Sequence, residues 1–216
     1  MSHWNIAAAQ YGGQHHSVDD HIAHHLNFIA EAAQLQCDLL VFPELSLTGP
    51  GATALPLPPE DDRLQPLLDA AHFYRITLIA GLPVERNGQR QKGLALFTPS
   101  RDRILRYPQG SGASLVPGDK QLAIIDGQSD SPNLDPQATL FTSCQSVRDY
   151  RWRQSINTLQ RFAHRYAIAV LMANAGAGSA LWDEKGQLIV RADKGELLLT
   201  GTRSGQGWQG DIIPLG

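Results

Sequence analysis

Residues 37–50, CDLLVFPELSLTGP, decide how the rest of the chain is read. Leu39 to Phe42 form an unbroken apolar run, the pattern of a strand covered on both faces of a sheet. The run meets Pro43, then an ionisable Glu44, then a Ser/Thr/Gly turn. A charged carboxylate is costly at a buried strand end unless hydrogen bonds or a cation compensate it. Strand ends of α/β sheets are also where ligands lie, so Glu44 is a candidate for catalysis. The competing reading is a glutamate that caps its loop or pairs with an arginine.

On the N-terminal side, residues 4–9 read as a short strand and residues 18–35 as a helix. Ile22, Leu26, Ile29 and Ala33 fall at helical spacing, and Ser17 followed by Asp20 gives a capped start. On the C-terminal side, a proline-rich loop at 51–62 precedes a helix over 63–75 and a third buried strand, ITLIAGLPV. Asn87-Gly88 predicts a hairpin into GLALFTP, and SRDR turns the chain again into ILRYP. Helix signals are weak from 108 to 146, although QLAIID and ATLFTS have strand character. Residues 149–166 predict a helix, followed by the strand AIAVLMAN and a final hairpin, GSALWDEKGQLIVRAD, with GELLLTGTR behind it. This order gives an α/β domain with a sheet of mixed direction and helices packed outside, a single domain over 1–216.

Length and composition narrow the function classes. A chain of 216 residues can bury a sizeable core without disulfides or metals. The formal charge of −3 is spread along the chain and forms no basic stripe, which argues against nucleic acid as a partner. No run approaches a membrane span. The opening residues MSHWNIAAAQY carry neither a basic segment nor a long apolar one, so a cytoplasmic location is expected.

The run DLLVFPELSLTG resembles the glutamate motif of the nitrilase superfamily, the carbon–nitrogen hydrolases. IAAAQY with Asn27 in the first helix resembles that family's opening, and LIAGLPVERNG its third strand and hairpin. Residues 162–199, with their Ala-Asn, Gly-Ser and Asp-x-x-Gly, are similar to its closing helix, strand and hairpin. The resemblance implies a nitrilase-like four-layer α-β-β-α sandwich and a Glu-Lys-Cys site that cleaves a small amide or nitrile. It implies no cofactor, and a homodimer. In such a site a thiolate attacks, a carboxylate takes its proton and later activates water, and a lysine stabilises the developing charge.

Glu44 matches the base. Where the family's Tyr-x-Lys is expected, this chain has Tyr107, Pro108 and Gln109, a neutral amide in the place of the cation. Ser111 and Gly112 stand where many members carry a second glutamate, and Lys120 is a loop lysine that could reach inward. For the nucleophile two alignments are open. One places Cys144 there, after a short strand and before a helix. The other makes ATLFTS the next strand along and puts the nucleophile's segment near LAIIDGQSDSP, with Ile125 in the cysteine's place. Cys37 reads as a packing residue. The expectation is an amidase with an impaired site, set against a family member that has kept the scaffold as a binding module.

Other motifs give less. HHSVDDHIAHH puts His21 and His25 one helical turn apart, yet it lacks a cysteine or a defined third ligand, so a solvated helix face is expected rather than a metal site. Gly110 and Gly112 make no phosphate loop, since no Lys-Ser/Thr follows. GQGW, with Trp208, reads as a tail packed on the domain.

Overall fold

The computed structural model describes residues 4–12, 17–49, 57, 61–111, 113–115, 123–125 and 134–215. Strand β1 (Trp4–Gln10) leads to helix α1 (Val18–Gln34) and strand β2 (Leu39–Val41). A 3-10 turn runs into helix α2 (Gln65–Tyr74), then β3 (Thr77–Arg86), β4 (Gln89–Phe97) and β5 (Leu105–Pro108). The middle of the chain contributes β6 (Ala113–Leu115), β7 (Ala123–Ile125) and β8 (Leu140–Gln145). Helix α3 (Asp149–Tyr166) precedes β9 (Ala169–Asn174), β10 (Ala180–Trp182), β11 (Leu188–Arg191), β12 (Leu197–Ser204) and β13 (Gly207–Pro214).

Local chemistry sets these boundaries where the sequence predicts them. Ser17 Oγ accepts the Asp20 backbone N–H at 3.1 Å and starts α1. α2 and α3 end on Arg75 and Ala167, both in the left-handed conformation (φ 56° and 50°) that closes a helix. Asn87 and Gly88 both have positive φ, 54° and 73°, the geometry of a two-residue turn between twisted strands.

The strands form two sheets, in the orders β13-β12-β1-β2-β3-β4-β5 and β11-β10-β9-β8-β7-β6. β1, β2 and β3 run parallel, as do β7, β8 and β9. Alternation along each strand sorts the core into three layers. Ile6, Ala8, Leu39, Val41 and Ile79 face Leu140, Leu171, Ala173 and Leu181 of the second sheet. The intervening Ala7, Ala9, Leu40, Phe42 and Leu78 meet Ile22, Phe28, Ile29 and Leu67 of α1 and α2. Phe141, Val170, Met172 and Trp182 meet Leu159, Phe162 and Ala163 of α3. Helix, sheet, sheet and helix stack in that order, the expected α/β four-layer sandwich.

Two expectations change. The C-terminal GQGW segment turns at Gly205 and Gln206 into β13, an edge strand paired with β12 from Ser204–Gly207 to Leu197–Pro214, with Trp208 buried 5.7 Å from the Trp4 ring. The histidine face is largely buried: His21 and His25 are 4% and 1% exposed. His24 keeps a 14% exposed side chain beside Glu196, at 3.5 Å. His15 and His16 lie outside the described residues. Among the described residues no helix is long and apolar enough to cross a membrane.

Candidate active site

The candidate site lies where the inter-sheet layer opens beyond the ends of β2, β5 and β8. Phe42 still bonds to β3 through its N–H, at 2.8 Å from Ile79 O, and the chain then turns over residues 44–48. Leu45 adopts φ 53°, which swings the backbone back so that Leu47 N–H reaches Gly81 O at 2.9 Å. Gly81 is required there because a Cβ would lie 2.2 Å from Leu45 N and 2.7 Å from Pro43 O. Glu44 N–H donates to Gln145 O at 3.3 Å, tying this turn to the other sheet.

The Glu44 carboxylate meets two partners. Lys92 Nζ is 2.8 Å from one oxygen, and Gln109 Nε2 donates to the other at 3.3 Å and to Cys144 O at 3.1 Å. The glutamate side chain is 17% exposed and the lysine 57%. Glu44 is therefore ion-paired, with a lysine rather than an arginine. Lys92 and Gln109 are cross-strand neighbours: Gln109 N–H donates to Lys92 O at 2.9 Å, next to the Gly93–Pro108 pair of β4 and β5. A cation is thus present one strand away from position 109.

Sequence reasoning missed Lys92, yet a signal was available. Lys92 is in phase with Leu94 and Leu96, which face the second sheet, and Gln109 is in phase with Tyr107 and Leu105. The period of two puts both polar groups on the inter-sheet face at the edge of that layer.

Cys144 lies inside β8, paired with Ala173, and faces the inter-sheet core with Leu140 at 0% exposure. Its backbone belongs to the site through Gln109. β7 lies parallel beside β8, with Ile125 paired to Thr142, the strand arrangement that the second alignment supposes. Lys120 and Gly112 lie outside the described residues, and Ser111 is exposed. Among the described residues, no group of three or more His, Cys, Asp or Glu side chains is disposed to hold a metal ion.

Residues 5–108 match the model of the carbon-nitrogen hydrolase family. That match covers the N-terminal part of the chain, just under half of its length. The match runs from β1 to the end of β5 and includes Glu44 and Lys92. Saccharomyces cerevisiae Nit3, a member of branch 10 of the superfamily, superposes with a TM-score of 0.83 at 12% identity, over 95% of this chain and 91% of that one. XC1258 from Xanthomonas campestris, a CN-hydrolase superfamily protein with an arsenic adduct in its active site, gives 0.80 at 15%, over 95% and 92%. The NitN amidase from Nesterenkonia sp. AN1 gives 0.79 at 16%, over 91% of each chain. These likenesses show a nitrilase-like fold across most of the chain.

The other thiol, Cys37, comes shortly before Glu44 in sequence and is placed differently. Cys37 precedes β2, packs with the α1–α2 side of the sheet, and is pushed up to about 12 by burial, with the Asp38 charge adding to it. The folded state therefore holds this proton more tightly than the unfolded chain. Stability from this group is fully present below pH 9.0 and is lost as pH rises through about 12. Cys37→Ser should flatten the fall in melting temperature across that window, as read by thermal denaturation. A parallel fall in both proteins would refute the assignment.

Proposed function

We propose that this chain is an amidase-type carbon–nitrogen hydrolase acting on a small amide, slowed by an incomplete site. The observation that supports this reading is the Glu44–Lys92 pair, steadied by Gln109, at the mouth of the inter-sheet layer beside the Cys144 backbone. Glu44 is the base. It takes the proton from the Cys144 thiol as sulfur bonds to the amide carbon, and returns that proton to the nitrogen as the C–N bond breaks, giving a thioester and ammonia. Glu44 then takes a proton from water as the hydroxide bonds to the acyl carbon. The acid leaves and the thiol regains its proton. Lys92 supplies the positive charge beside the developing oxyanion, where Gln109 offers only a neutral N–H.

Cys144 is fully buried, and the exclusion of substrate from its sulfur makes this turnover slow. The same burial favours a second reading, a scaffold that binds a ligand at Glu44 without turnover. Ammonia release from a panel of small amides separates the two. The first reading expects measurable release that Glu44→Gln and Cys144→Ala each reduce by about 100-fold or more. It also expects iodoacetamide to label Cys144 near neutral pH while Cys37 stays unlabelled. No ammonia above blank, with Cys144 unlabelled, would leave only the binding module.

A further inference from the structure

The buried histidine of α1 is the feature that the proposed chemistry leaves unused. His25 Nδ1 lies 2.6 Å from His21 O, which can only accept, so that nitrogen carries the hydrogen. In the neutral ring Nε2 then has a free lone pair, and it lies 3.1 Å from Ser46 Oγ. Ser46 donates its hydroxyl hydrogen there and accepts the Gly81 N–H at 3.1 Å. Its carbonyl accepts from the Tyr11 hydroxyl at 3.3 Å, and its own N–H reaches Pro43 O at 3.3 Å. The His25 ring stacks on Phe42 with centroids 4.0 Å apart, which fixes its plane. Burial pushes the Tyr11 hydroxyl well above its ordinary value, so it remains a donor.

These contacts converge on a residue two positions after Glu44. Ser46 is 5% exposed and is held from α1, from β3 and from the end of β1. We infer that His25, acting through Ser46, is a positioning residue for Glu44: the imidazole lone pair orients the serine hydroxyl, and the serine pins the Glu44 turn to Gly81. This deepens the proposed function and rests on Glu44 being the base. A buried hydroxyl with both of its bonds made is a rigid joint, whereas the same turn held by backbone bonds alone would let the carboxylate swing.

The test uses the full chain and two readouts. His25→Phe keeps a ring on Phe42 but removes both nitrogens; Ser46→Ala removes the hydroxyl, and Ser46→Thr restores it. Backbone amide exchange is followed by NMR at Leu47 and Gly81. Both removal variants should accelerate exchange there by ~10-fold or more while β9 and β12 amides stay unchanged, with Ser46→Thr close to wild type. Ammonia release should lose ~10-fold or more in kcat with KM within about twofold, as expected when orientation rather than binding is lost. Unchanged exchange at Leu47 and Gly81 would overturn the joint. A rise spread evenly over all strands, or accelerated exchange with unaltered kcat, would reduce His25 to a core residue. Should the wild type release no ammonia, the proposed turnover fails while the exchange comparison still decides the positioning.

Discussion

Gly81→Ala should destabilise the protein by about 3 kcal/mol or more and release the Glu44 turn from β3. The added methyl would sit 2.2 Å from Leu45 N, 2.7 Å from Pro43 O and 2.9 Å from Glu44 C, all backbone atoms that no rotamer change can move aside. Relief requires the turn to lift off, which breaks the Leu47–Gly81 bond and the Gly81–Ser46 bond together. Gly88→Ala is the control. Nothing lies within 4 Å of a Cβ there, and the cost is that of a non-glycine residue at φ 73°, about 1 kcal/mol. Urea denaturation of both variants measures the difference. Equal midpoints would mean that the turn gives way without cost and that Gly81 does not shape the site.

Much of the fold could be read in advance because parity and periodicity are local signals. The DLLVF run contains β2, with Leu39 and Val41 facing the opposite sheet and Leu40 and Phe42 facing the helices. The α3 boundaries coincide with the predicted helix, and the Ser17 cap forms as its spacing requires. β13 escaped because its evidence is non-local. Its GWQGDIIP residues alternate poorly, and its place is set by pairing with β12. The histidines were misread for a related reason. His25 flanks the apolar stripe of α1, and only the turn carrying Ser46 and the Phe42 ring supply the partners that make its burial affordable. Within the candidate site, the position of Glu44 was legible from a proline and a buried strand, whereas that of Lys92 depended on β4 pairing with β5.

That pairing makes Lys92→Met the substitution that tests the electrostatics of the site. If Lys92 stabilises charge in the reaction, its loss should lower kcat/KM for amide hydrolysis by ~100-fold. With a lysine that is 57% exposed, screening keeps the pair's contribution to folding small, so the melting temperature should hardly move. An ion pair that only neutralises the Glu44 charge would leave turnover unaltered. The cross-strand bond from Gln109 N–H to Lys92 O supplies a sharper comparison, since the two side chains approach the same carboxylate from neighbouring strands. Adding Gln109→Lys to Lys92→Met should restore most of the lost rate, because the charge returns beside the same carboxylate. Failure of that double variant, in a protein whose folding is unchanged, would mean that the position of the cation matters as much as its presence, and that Lys92 acts through a geometry that position 109 cannot supply.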